Sequence, residues 1–115
     1  MKKLKNTKNN AKKPAINKAF AESHGVRQGK DDVIFSVLFP KAGTVQIGGD
    51  FNNWQPEQTP MHKIDENGTW KTTVNLTPGT YRYRLVVDGQ WQHDPFNEKT
   101  EQNPYGELNS VLQVN

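Results

Sequence analysis

The sequence predicts an all-β fold, an antiparallel β-sandwich preceded by a basic arm. Three observations lead there. From Asp32 onward, apolar residues recur with a period of two in runs of strand length. Turn-forming clusters separate those runs at short intervals. No stretch beyond the arm keeps a helical period of useful length. A chain of 115 residues suits one domain with one modest core.

The arm comes first and spans residues 1–31. Residues 1–30 carry nine Lys/Arg and one acid, Glu22, which gives +8. Residues 31–115 carry six Lys/Arg and eleven acids, which gives −5. The net charge of +3 therefore joins a basic arm to an acidic domain. Residues 1–13 hold nothing that can form a core and are expected to be disordered. Residues 14–24, PAINKAFAESH, can form a short helix. Pro14 suits a first helical position, Ile16 and Phe20 share a face, and Gly25 suits a C-cap. A helix this short is marginal alone. Residues 1–30 of the arm read either as a docking segment for nucleic acid, an anionic surface or a protein partner, or as a solvated linker.

The sandwich, residues 32–115, follows. Val33-Ile-Phe-Ser-Val-Leu-Phe39 places Val33, Phe35, Val37 and Phe39 on one face, and Pro40 ends it. Thr44–Gly48 is a second, shorter run. Asp65–Gly68 is a turn with Asn-Gly at its tip. Thr69–Leu76 alternates, with Trp70, Thr72, Val74 and Leu76 on one side. Thr80–Val87 alternates again, Tyr81, Tyr83, Leu85 and Val87 against Arg82, Arg84 and Val86. Asp88-Gly89 is a hairpin signal leading into Gln90–His93. A looser stretch, Asp94–Glu107, precedes a last strand, Ser110–Val114. Six or seven short strands at this spacing fit a sandwich of immunoglobulin-like type.

Several function classes find no support. The chain has no cysteine, so no disulfide framework or thiolate metal site is available. The basic N-terminus is not followed by an apolar run, so neither a secretion signal nor a membrane span is expected, and the localisation expected is cytoplasmic. His24, His62 and His93 are not at metal-ligand spacing. There is no phosphate-cradling glycine loop, no strained serine elbow and no identifiable pair of catalytic carboxylates. The expectation is a non-catalytic chain without a cofactor. His93-Asp94 reads as a local turn pair.

The sequence offers aromatic rings beside amides and a guanidinium. Trp54 sits in the turn-rich segment GDFNNWQPEQTP, and Trp91 just past the Asp88-Gly89 turn, with Arg84 seven residues earlier on a polar strand face. The C–H face of a pyranose can lie flat on an indole while Asn, Gln and Arg take the hydroxyls. Trp70, flanked by core-periodic residues, reads instead as core.

GDFNNW (Gly49–Trp54), YRYRLVVDGQWQHDP (Tyr81–Pro95) and GELNSVLQV (Gly106–Val114) resemble the family-48 carbohydrate-binding modules. They are more closely similar to the glycogen-binding domain of the AMP-activated protein kinase beta subunit. The same module type precedes the catalytic barrel of glycogen-branching enzymes and isoamylases. The resemblance covers residues 32–115 and none of the arm. It implies binding of α-1,4-glucan (glycogen, amylose or, as a model ligand, cyclodextrin). The family's two stacking tryptophans match Trp54 and Trp91. Its strand lysine matches Arg84, which keeps the charge and changes the donor geometry. In the C-terminal pattern Asn109 keeps the amide, Tyr105 replaces a leucine, and Glu107 replaces a hydroxyl residue. The Asp94–Pro104 loop is slightly longer than in the family. Phe51 is expected to point inward, with Asn52 and Asn53 organising the turn. If the edge at Tyr105, Glu107 and Asn109 is extended, the three share a side. The other reading of the chain is a degenerate sandwich used for protein contacts, with the arm binding nucleic acid or another anionic partner.

Overall fold

In a computed structural model, the residues described are 24–29 and 32–115. Residues 1–23 lie outside them, and with these the expected disorder of residues 1–13 and all but the last residue of the helix expected over 14–24. Among the described residues there are nine strands: β1 (Gly25–Gln28), β2 (Val33–Leu38), β3 (Val45–Gly49), β4 (His62–Lys63), β5 (Thr69–Val74), β6 (Gly79–Val87), β7 (Gln90–Gln92), β8 (Thr100–Gln102) and β9 (Leu108–Val114). They form two antiparallel sheets. One has the order β1-β2-β5-β4, the other β3-β6-β9-β8, with β7 added to β6. The architecture is the immunoglobulin-like sandwich that the alternation predicts. No helix among the described residues is long and apolar enough to cross a membrane.

The long strands form as the sequence indicates. In β2, Val33, Phe35 and Val37 are buried, and in β6 Tyr83 and Leu85 are fully buried. Phe35 meets Tyr83 edge-on between the sheets, with centroids 5.1 Å apart. Full burial of each such side chain contributes about 1.5–3 kcal/mol. Trp70 in β5 is buried as expected, and its indole N–H donates to the Phe39 carbonyl at 3.1 Å. Asp88 and Gly89 both have positive φ, 50° and 82°, which is what a two-residue turn matching strand twist requires.

Three strands were not expected. β1 lies within the stretch that the sequence reading gives to the arm. It pairs with β2 from Gly25↔Ser36 to Gln28↔Val33, so the sandwich takes in these four residues. Gln28 also ties it to the C-terminus, its amide exchanging hydrogen bonds with the Asn115 backbone at 3.2 Å. Gly25 is the first residue of this strand. β4 and β8 are a two-residue and a three-residue exposed edge. None of the three has enough alternation to be read from sequence.

β6 organises the second sheet. Tyr83 pairs with Gly49 of β3 on one side and with Ser110 of β9 on the other. β9 covers Gly79–Tyr83 along that second edge, and β7 takes over at Leu85–Val87. β7 thus continues the edge where β9 leaves off. This brings the Asp88-Gly89 hairpin and the start of β9 to one region of the sheet.

Candidate functional site

The outward face of the second sheet carries the residues singled out above. Residues directly opposite in antiparallel strands share a face. Arg84 pairs with Gly48, and Val86 pairs with Gln46 on β3 and Trp91 on β7. All of these are therefore outward. Val86 is nevertheless only 4% exposed. The indole of Trp91 accounts for this, since it extends from β7 across β6 to β3. A Cβ on Gly48 would lie 2.6 Å from Trp91 Cη2 and 2.8 Å from Cζ3. Trp91 as a residue nevertheless remains 42% exposed.

Trp54 reaches the same region from the loop after β3. Asn52 holds that loop from inside. Its carbonyl oxygen accepts from the Gly49 N–H at 3.0 Å, and its amide donates to the Ile47 carbonyl and the Thr59 hydroxyl at 2.9 and 2.8 Å. Phe51 points inward, with its ring 6.0 Å from Phe35. Asn53 and Trp54 both adopt left-handed backbone, φ 57° and 58°. Asparagine tolerates this conformation, and tryptophan does so at a cost. The turn lifts the indole, which is half-buried and donates its N–H to Asp50 Oδ1 at 3.1 Å. Asp50 Oδ2 accepts the Arg82 backbone N–H at 2.8 Å, where β3 has already ended. The Trp54 and Trp91 centroids are 6.4 Å apart, with 38° between the ring planes.

Polar groups stand beside this pair. The Arg84 side chain is 15% exposed, and its Nη1 donates to Glu107 Oε1 at 3.4 Å. Its Nε is buried with no hydrogen-bond partner among the described residues. Asn109 precedes Ser110 on β9, so the register carried one step further sets it beside Arg84 on the outward face. Asn109 is 8% exposed. The edge around Tyr105 is not extended. Asn103 to Glu107 is a turn joining β8 to β9, with Gly106 at φ 85°. The Asn103 side chain accepts the backbone N–H groups of Tyr105 and Glu107, both at 2.9 Å. Tyr105 therefore stands at a turn tip, 88% exposed, rather than in line with Glu107 and Asn109.

A buried polar network supports the segment after Trp91. Asp94 accepts the Tyr83 hydroxyl on Oδ2 at 2.7 Å and the Phe96 N–H on Oδ1 at 2.8 Å. The second bond is local but joins Asp94 to Phe96 rather than to His93, the partner expected from sequence, and the first is buried in the sandwich. Asn97 donates to the Tyr83 hydroxyl and to the Val111 carbonyl at 3.1 and 3.0 Å. Burial raises the Asp94 carboxyl above its ordinary range, although the Tyr83 hydrogen bond opposes this. A carboxyl raised in the fold binds its proton more tightly there than in the unfolded chain. Its stabilising contribution is thus present below the ordinary value and is lost as pH rises through the raised one.

Trp54, Trp91, Arg84 and Glu107 are brought together, Asn109 lies on the same face, and Tyr105 stands off at its turn. Sequence reasoning did not single out Gly48, Asp50 or the Tyr83–Asp94 pair. Gly48 meets Trp91, Asp50 meets the Arg82 backbone and Tyr83 meets Asp94 only because the fold brings them close.

The family model for the glycogen recognition site of AMP-activated protein kinase matches residues 39–115. The 1,4-alpha-glucan branching enzyme GlgB of Bacillus subtilis (strain 168) is 30% identical over 93 residues, covering 74% of this chain and 14% of that enzyme. The 5'-AMP-activated protein kinase subunit beta-1 of Sus scrofa is 34% identical over 70 residues, covering 61% of this chain and 53% of the pig sequence. The human subunit beta-1 is also 34% identical over 70 residues, 24% of its length. The chain thus spans about a seventh of the bacterial enzyme and corresponds to one module of it. The matched segment runs from just after β2 through β9 and contains every residue of the face just described, so the chain belongs to the family of AMP-activated protein kinase glycogen recognition sites.

Proposed function

We propose that the chain binds α-1,4-glucan, as in glycogen or a starch-like polymer, without catalysis, and so tethers a partner to the polymer. Trp54 and Trp91 form the stacking platform, and Arg84, Glu107, Asn109 and Tyr105 meet the sugar hydroxyls and edges around it. The observation that carries this reading is the pair of indoles, 6.4 Å apart and tilted by 38°, on an accessible face. Two mutually tilted rings suit successive sugars of a curved polymer better than a flat one. The Arg84 Nε, buried with no partner among the described residues, lies in a guanidinium whose other nitrogens can donate to hydroxyl oxygens. Membership of a glycogen-recognition family supports the choice of ligand. The tethering role is supported by relatives as different as a branching enzyme and a kinase subunit carrying the same module.

The purified chain is expected to pellet with glycogen and to bind β-cyclodextrin. Affinity should fall roughly in the micromolar to millimolar range, because a few stacked sugars leave little surplus over association costs. Isothermal titration with no heat at millimolar cyclodextrin, and no co-sedimentation, would overturn the reading. The seven lysines of residues 1–23 offer an anionic partner a separate contact, which salt would weaken. A neutral glucan gains nothing from them. A chain beginning at His24 should therefore bind cyclodextrin as tightly as the full one. That boundary keeps β1, which deletion through residue 30 would remove.

Glu107 is assigned to accept bonds from sugar hydroxyls. Its pairing with Arg84 at 3.4 Å is an exposed contact, with 58% of the Glu107 side chain accessible. Such a pair is worth about 0–1 kcal/mol, so a sugar can share or displace it. Glu107→Thr should weaken cyclodextrin binding by up to about fivefold. Tighter binding by Glu107→Thr would show that the carboxylate blocks Arg84 and would reverse its assigned role.

A further inference from the structure

We infer that Gly48, a residue with no side chain to offer a ligand, is a positioning residue that sets the height and tilt of the Trp91 indole. The inference rests on the glucan-binding reading and adds to it the cause of the platform's geometry. Trp91 starts on β7, two strands away from β3, with β6 between them. Neighbouring strands are about 4.8 Å apart, so the indole must lie nearly flat to cross β6 and reach β3. It does reach it. The site of a Gly48 Cβ is 2.6 Å from Cη2 and 2.8 Å from Cζ3, and Pro56 Cδ is 3.7 Å from the same point. The far end of the ring thus rests on bare backbone, next to the Pro56 side of the Trp54 loop.

Backbone conformation does not demand glycine here. Gly48 is inside β3 and is not among the residues with positive φ, so any residue could adopt its conformation. What excludes a side chain is the indole. A Cβ on the outward face would lift the ring away from the sheet, uncover Val86 and alter the 38° angle to Trp54. Two rings that must contact successive sugars together tolerate little misplacement. Arg84, the register partner of Gly48, would lose part of its cover in the same movement.

The test compares wild type, Gly48→Ala, Gly48→Val, Trp91→Ala and the double variant Gly48→Val/Trp91→Ala. β-Cyclodextrin affinity is measured by isothermal titration and indole environment by near-ultraviolet circular dichroism. Thermal melts establish that each variant is folded. Because the clash is with the end of one side chain, both glycine variants are expected to fold. Gly48→Val should weaken binding about tenfold, as expected when an aromatic anchor is displaced but still present. Gly48→Ala should weaken it less, and both should change the indole signal. In the Trp91→Ala background, Gly48→Val should cost nothing further, because its effect passes through the ring. Wild-type affinity with an unchanged indole signal in Gly48→Val would overturn the inference, as would a full Gly48→Val effect without Trp91. If Gly48→Val does not fold, Gly48→Ala carries the same comparison. If the wild type binds no cyclodextrin, the glucan reading fails. The indole signal then decides the seat alone, which stands only if Gly48→Ala changes the signal in the presence of Trp91 and not in its absence.

Discussion

Trp70→Ala is expected to lower the unfolding free energy by about 3–5 kcal/mol, the range for deleting a large buried aromatic. Trp70 is 6% exposed and lies on β5, in the sheet opposite the one that carries Trp91. Its side chain belongs to the core cluster with Phe35 and Tyr83. Truncation would remove the apolar contacts and leave a cavity that the two sheets, fixed by their ladders, cannot close. It would also strip the Phe39 carbonyl of its donor. Trp70→Phe separates these effects. It keeps most of the ring and loses the N–H, so it should cost about 1–3 kcal/mol. Denaturant melts give both numbers, and affinity per folded molecule should stay at the wild-type value. A Trp70→Ala protein that melts like wild type would mean that the ring does not support the core.

The contrast between Trp70 and the other two tryptophans was legible because β5 alternates and the loops do not. β2, β5 and β6 each turn alternate residues to the core, and a two-residue period follows directly from that geometry. β1, β4 and β8 are short polar edges whose existence depends on a neighbour offering hydrogen bonds, and composition does not record a neighbour. The turn at Tyr105 did leave a signal. Asn103-Pro104-Tyr105-Gly106 is a run of turn formers, and it outweighs the extended edge inferred from the spacing of Tyr105, Glu107 and Asn109. The family resemblance and their turn-rich settings pointed to Trp54 and Trp91, but neither said why glycine occupies position 48. That reason lies in a ring arriving from two strands away. The Asp50 role is similar. Its carboxylate replaces the missing end of β3 beside Arg82 and at the same time holds the Trp54 N–H.

Trp54→Ala and Trp91→Ala should each weaken cyclodextrin binding by about 1–3 kcal/mol, the usual loss for an aromatic anchor. Each should leave the chain folded, because neither ring belongs to the core cluster. The two differ in their side effects. Loss of Trp91 uncovers Val86, so Trp91→Ala should melt somewhat earlier than wild type. Loss of Trp54 removes one hydrogen bond to Asp50, while Asp50 keeps its contact with the Arg82 backbone. A sharper variant is available at position 54. The residue sits at φ 58°, a left-handed conformation that costs a non-glycine residue about 1–2 kcal/mol. Trp54→Gly relieves that strain while removing the ring. Its greater freedom in the unfolded chain offsets part of the gain, so its stability should be close to wild type or slightly above it. Its affinity should nevertheless fall as far as that of Trp54→Ala. A protein that is as stable as wild type and has lost most of its binding would separate the platform from the fold more cleanly than either alanine variant. If Trp54→Gly binds cyclodextrin like wild type, the loop tryptophan is not a glucan contact. If both alanine variants unfold, the rings are structural, and the platform assignment fails.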